Sequence, residues 1–278
     1  MKATEHRAAH ALQAMRAIVW RELLKFSRQY GRLVSALVRP LLWLAVFAAG
    51  FRNVFGVAIV EPYDTYVPYD LYIAPGLVGM VLLFNGMQSS LAMVYDREMG
   101  LMRLLLTAPL PRAWILLSKL TATAVLSLAQ AAAFVIVAAL LGTTLPVWGP
   151  QTPMVLLAAV CAALMLGSLG LLLSVHIKQL ENFAGTMNFV IFPMYFLSTA
   201  LYPLWKLEES GAQWVYRVAQ VNPFTHAVEW LRFALHGKDP GLSPYVVVGT
   251  LIVCFALASW GYDPQRGFGA LAKRGGPA

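Results

Sequence analysis

Long apolar runs, set off by short clusters of charge, organise this chain. From Leu120 to Ile177 there is no charged residue. About 20 apolar residues suffice for one spanning helix, so this run is too long for one. Gly142, Pro146, Gly149, Pro150 and Pro153 break it in the middle. It predicts two spans, 120–141 and 154–175, joined by a short turn. Four further runs predict spans at 33–51, 71–95, 183–202 and 242–262. The first is bounded by Arg32 and Arg52, with Arg39 and Pro40 near its inner end, where an arginine can snorkel to the headgroups. The expected fold is an all-α membrane protein with six transmembrane helices, forming a single domain over residues 1–278.

The segment before the first span has a different period. At about 100° per residue, Leu12, Met15, Val19, Leu23, Phe26, Tyr30 and Leu33 share one face. Arg21, Lys25, Arg28 and Arg32 fall nearly opposite. Residues 1–32 therefore read as an N-terminal amphipathic helix lying in the membrane interface, basic side toward anionic headgroups. An ordinary surface helix is the alternative, and the adjoining span favours the interface. The same basic character argues against the apolar core of a removable signal peptide.

Residues 203–241 are too mixed for a lipid-facing span and too apolar for a simple loop. Trp205, Trp214, Tyr216, Phe224, Trp230 and Phe233 alternate there with charges. The segment reads as two short outer re-entrant helices between spans five and six, broken at Asn222-Pro223. Asn222 suits a helix cap and Pro223 a first helical position. The second helix is expected over 223–235, bringing Glu229 and Arg232 together at i, i+3. A plain outer loop with surface aromatics is the alternative.

Composition narrows the class. Of 278 residues, 59% are hydrophobic and 12% charged, against roughly 25% charged in a soluble domain. Such a surface excludes a soluble enzyme, a disordered chain and a coiled coil. The net charge of +8 reads as topology rather than nucleic-acid binding. With both termini cytoplasmic, sixteen Lys and Arg fall inside and five outside, a positive-inside bias. The expected location is the plasma (bacterial inner) membrane, as a multi-pass protein.

Catalytic chemistry is missing from the pattern. There is no G-x-x-x-x-G-K-[ST] phosphate loop and no H-E-x-x-H. His6, His10, His176, His226 and His236 are scattered. Cys161 and Cys254 lie in apolar runs and behave as small hydrophobes. Ser168 lacks the G-x-S-x-G setting and an intramembrane base; its small neighbours Gly167 and Gly170 suit close helix packing. Neither a catalytic residue nor a metal site is assigned. Spans two to six carry essentially no ionisable group, so an ion-driven carrier is disfavoured. Any transport is expected to draw its energy from another polypeptide.

The most informative segment is the inner loop, Tyr95-Asp96-Arg97-Glu98-Met99-Gly100-Leu101-Met102-Arg103-Leu104-Leu105-Leu106-Thr107-Ala108-Pro109. A charged start, a short amphipathic stretch and a proline stop predict a compact cytoplasmic helix. Leu101, Leu104 and Leu105 share one side, which Arg97 and Arg103 avoid. Such a helix can dock in a partner's groove or rest on the membrane.

At this segment the chain resembles the first cytoplasmic loop of type-2 ABC (ATP-binding cassette) exporter permeases of the drug-export and polysaccharide-export kind. Ala74-Pro75-Gly76-Leu77 at the start of span two is similar to that family's Pro-Gly turn. Asn222-Pro223-Phe224-Thr225-His226-Ala227-Val228, with Arg232 after it, resembles its Asn-Pro signature before the last span. The resemblance covers essentially the whole chain. It implies a permease subunit that pairs with a second copy of itself or a similar permease, beside two separate ABC ATPase subunits. Residues 97–108 would be the coupling helix, with Asp96, Arg97, Glu98, Gly100, Leu101, Arg103, Leu104, Leu105 and Pro109 as coupling residues. Asn222, Pro223 and Arg232 would form the outer re-entrant motif. No cofactor is expected on this chain; ATP and Mg would bind the partner ATPase. The other reading is a non-transporting membrane scaffold or assembly subunit. An uncharged, aromatic-rich path suits drugs, lipids or lipid-linked glycans alike.

Overall fold

The computed structural model describes residues 2–28, 30–51, 61–63, 67–99, 111–177, 179–209 and 211–262. They form ten helices: α1 (Lys2–Ser27), α2 (Tyr30–Phe51), α3 (Tyr69–Glu98), α4 (Arg112–Leu140), α5 (Thr152–His176), α6 (Leu180–Phe196), α7 (Leu204–Glu209), α8 (Gln213–Val221), α9 (Pro223–Leu235) and α10 (Ser243–Gly261).

Four of these helices are long and apolar enough to cross a membrane: Tyr69–Asp96, Arg112–Leu140, Thr152–His176 and Ser243–Gly261. In the expected first span, the described apolar stretch is Leu37–Val46 within α2. The expected fifth, 183–202, is shorter than predicted. α6 has 17 residues and stops at Phe196. The reason is tertiary: the Asn222 side chain caps the carbonyls at its end, and the chain then turns through 197–202. Residues 203–241 hold three helices, α7 to α9, rather than two. α9 has the expected bounds, Pro223 to Leu235.

α3 is the centre of the bundle. Every residue from 72 to 87 is buried, as befits a helix enclosed on all sides. It packs against α2, α4, α5, α6 and α9. Its closest partner is α5, and small residues make that approach possible. A Cβ on Gly86 would lie 3.1 Å from the Leu166 carbonyl oxygen, and one on Gly170 would lie 2.9 Å from that of Gly86. Ser90 returns its hydroxyl to the Gly86 carbonyl at 3.0 Å, so no polar group is stranded at the crossing. This is the small-residue contact expected of helices that lack a hydrophobic drive to associate within lipid. α10 is peripheral. It buries Val247, Cys254 and Ala258 along one stripe and exposes Tyr245, Ile252, Val253, Leu257 and Trp260.

The N-terminal segment departs from one continuous wheel over 12–33. α1 ends at Ser27, whose hydroxyl donates to the Leu24 carbonyl at 3.0 Å, and α2 begins at Tyr30. Leu12, Met15, Val19, Trp20 and Leu23 line an open apolar groove. The basic side is not wholly committed to headgroups, because Arg21 and Lys25 approach the end of α3. The Arg39 guanidinium lies 4.1 Å from the centroid of the Phe84 ring, near the middle of α3.

Candidate coupling site

Two polar constellations stand at opposite ends of α3. At its C-terminal end, Asp96 is almost fully buried. Its carboxylate accepts from Lys119 Nζ on α4 at 2.9 Å and from Lys25 Nζ on α1 at 3.5 Å. Arg21 lies 3.9 Å away. Lys119 sits two turns inside an apolar helix and is itself buried, so Asp96 neutralises a charge that would otherwise be very costly there. The more exposed Lys25 and Arg21 add less, because water screens them. The Trp114 indole N–H donates to the Ala11 carbonyl at 2.8 Å, a second tie between α1 and α4.

Glu98 makes a different connection. Its Oε1 accepts from the Leu180 backbone N–H at 2.8 Å. Leu180 opens α6, so the carboxylate caps that helix and meets the positive end of its dipole. The last turn of α3 is therefore tied to α1, α4 and α6 at once.

This geometry revises one expectation. Asp96, Arg97 and Glu98 are the final turn of the long helix α3, not the opening turn of a separate inner helix. The apolar register of α3 continues through buried Met93 and Val94, which carries the helix on to Glu98. The Arg97 side chain and residues Gly100, Leu101, Arg103, Leu104, Leu105 and Pro109 lie outside the described residues, as does most of the expected 97–108 helix.

At the other end, Asn222 joins two helix termini. Its Oδ1 accepts from the Phe224 N–H at 3.0 Å and caps α9. Its Nδ2 donates to the carbonyls of Met194 at 2.8 Å and Leu197 at 2.7 Å, closing α6. Pro223 takes the first helical position, where the missing N–H costs nothing. Arg232 pairs with Glu229 at i, i+3, as expected, and is fully buried. It donates to Glu229, to the Thr199 carbonyl at 2.9 Å and to the Tyr72 carbonyl at 3.4 Å. Its guanidinium also lies 4.1 Å from the Tyr72 ring centroid. Tyr63 closes the group, stacked edge-on against His236 at 4.6 Å; burial pushes its phenol pKa up. Asp96 and Arg232 are thus not one site. Tyr72 and Asp96 stand about 36 Å apart along α3 at ~1.5 Å per residue.

Sequence reasoning passed over the partners of Asp96. A signal existed: Lys119 is the last charge before the uncharged run, at a depth where a lysine needs a counter-charge. No group of three or more His, Cys, Asp or Glu suited to a metal occurs among the described residues.

The profile of the family described as ABC-2 type transporter matches residues 13–236. The chain is 28% identical over 237 residues to a putative transport permease ycf38 of Porphyra purpurea, covering 85% of this chain and 78% of that one. A ycf38 protein of Pyropia yezoensis is 30% identical over 231 residues, covering 81% and 75%. The daunorubicin resistance ABC transporter permease protein DrrB1 of Streptomyces coeruleorubidus is 22% identical over 252 residues, covering 89% and 85%. The match takes in α2 to α9 and most of α1, and with them both polar constellations: the chain belongs to the ABC-2 type transporter family and is a membrane transport permease.

Proposed function

We propose that this chain is the membrane half of an ATP-driven exporter in the bacterial inner membrane, working as a dimer above two separate ABC ATPase subunits. The observation that carries the reading is the clamp on the last turn of α3. Asp96 and Glu98 fix the root of the inner loop to α1, α4 and α6, so a push on that loop moves several helices together. Segment 97–108 is the coupling element and seats in a cleft of the ATPase. Gly100 permits close backbone approach there, Leu101, Leu104 and Leu105 bury against it, and Arg103 pairs with a carboxylate or carbonyl. Both termini are cytoplasmic, six helices cross the membrane, and α1 rests in the inner interface. The names of the relatives, transport permease and ABC transporter permease, support this role.

In the mechanism, ATP binds better to one arrangement of the ATPase pair and so shifts the permease between two states. The displacement enters at the clamp. α3 is one continuous helix from Tyr69 to Glu98, so movement of its inner end is transmitted to Tyr72, where Arg232 grips it. α9 and the closed end of α6 then move with it, and the path between the two permeases opens outward. Hydrolysis resets the pair.

The test is purification of the affinity-tagged permease from its native membranes. A P-loop ATPase subunit should be retained at one to one, and its ATP hydrolysis should rise on reconstitution with the permease in lipid. A permease that purifies without any ATPase, from membranes where it is abundant, contradicts the reading.

A further inference from the structure

Between α2, α3 and α4 lies a small cavity of about 10 Å³, room for roughly one water. Its lining is unusually polar for this depth: Arg39, Asn85, Gln88 and Gln130, beside Pro40 and Phe84. Phe84 precedes Asp96 by twelve residues, about 18 Å at ~1.5 Å per residue, which is mid-way through a hydrocarbon layer about 30 Å thick. Asn85 is satisfied, its Nδ2 donating to Ser127 Oγ at 2.8 Å. Gln130 is not. It is 3% exposed, and neither its Oε1 nor its Nε2 has a partner among the described residues. Leaving both ends of a buried amide unpaired is expensive, and an amide aimed into a cavity can recover that cost by binding something.

Arg39 defines what binds. Its guanidinium rests on the Phe84 ring at 4.1 Å, and no carboxylate pairs with it among the described residues. Arg39 is exposed on the surface of the single chain, and a cation at this depth is not tolerated against lipid tails, so it faces a path or a second subunit. Its fork of donors matches a phosphate or carboxylate. Next to it runs an aromatic strip. Phe84 meets Phe192 edge-on at 6.4 Å, Phe192 stacks on Phe196 at 6.2 Å, and Trp43 meets Phe196 at 5.9 Å. Phe192 remains 46% exposed, so the strip opens to the surface of the single chain.

We propose that Arg39 and Gln130 form a mid-membrane site for the anionic head of an amphiphilic cargo, with its apolar tail lying along Phe84, Phe192 and Phe196. The word cargo rests on the transport reading above; the binding site does not. Arg39 donates to the anion, and the Gln130 amide N–H adds a second donor. A cationic amphiphile is repelled by the same guanidinium.

The test uses the full chain in phosphatidylcholine nanodiscs, without nucleotide or ATPase, and radiolabelled dodecyl phosphate as the probe. Saturable binding is expected, competed by laurate but not by dodecyltrimethylammonium or by inorganic phosphate at equal concentration. Affinity should fall at least about tenfold in Arg39→Gln, the loss of one charge-assisted contact, and similarly in Gln130→Glu. Arg39→Lys should fall between. Undiminished binding in both Arg39→Gln and Gln130→Glu overturns the proposal. So does equal competition by dodecyltrimethylammonium, which makes the site merely apolar, or by inorganic phosphate, which makes it a free-ion site. Because no ATPase is present, failure here leaves the ATP-coupling reading standing, and failure to retain an ATPase leaves this site standing.

Discussion

Replacing Asp96 by Asn isolates the clamp at the inner end of α3. The substitution preserves shape and removes one charge from the group containing Lys119, Lys25 and Arg21. The side chains of Asp96 and Lys119 are 4% and 9% exposed, whereas those of Lys25 and Arg21 are 38% and 49% exposed. Screened pairs of the second kind contribute about 0–1 kcal/mol each. Removing one partner of a buried pair costs ~3–5 kcal/mol, because the other charge stays behind. Asp96→Asn should therefore destabilise by about 3 kcal/mol, nearly all through Lys119. Lys119→Met should cost less, because Asp96 keeps Lys25 and Arg21 as partners. The double variant strands neither, so it should be no worse than the weaker single, an interaction of at least ~2 kcal/mol. Reversible unfolding in mixed micelles of increasing dodecyl sulfate content, with the indoles as reporter, measures the cycle. A double variant whose loss equals the sum of the singles within ~0.5 kcal/mol refutes the pairing.

Other consequences are equally concrete. Asn222→Ala removes a helix cap and two bonds to carbonyls, for a loss of about 2–3 kcal/mol in the same assay; Asn222→Asp keeps the cap but turns an acceptor toward Met194 and Leu197, so it should not rescue. Gly170→Val should abolish a folded, monodisperse product, since its Cβ has no room beside Gly86, while Gly185→Ala, with nothing within 4 Å, should raise stability by up to ~1 kcal/mol; equal tolerance of the two would disprove the tight α3–α5 crossing. For topology, an impermeant maleimide applied to cells should label Asp239→Cys and spare Gln179→Cys, and labelling of both would exclude their placement on opposite sides.

Much of this architecture is legible in the sequence because lipid imposes long uninterrupted runs, and those runs place α3, α4, α5 and α10 to within a few residues, α4 excepted at its start. The uncharged run puts the start of this span at residue 120, which leaves out Arg112 to Lys119 and their two charges. In the structure they are helix, since Lys119 finds Asp96 and no longer needs water. α6 ends early for a tertiary reason, the reach of Asn222 from 25 residues further on, which no local pattern contains. The cap at Asn222-Pro223 was readable, being local chemistry, whereas the burial of Arg232 beneath Tyr72 and Thr199 was not. The amides of the cavity went unremarked because neutral polar side chains barely disturb an apolar run; only packing shows that Gln130 has no partner.

The central claim is that the inner loop of this permease seats in an ATPase. A photo-crosslinking amino acid placed at position 104, in permease complexes purified at matched membrane levels, tests it most directly. The account predicts a covalent adduct to the P-loop ATPase subunit, lost in the Gly100→Leu and Arg103→Glu backgrounds. Crosslinks to lipid alone, or an adduct undiminished by both substitutions, would contradict it.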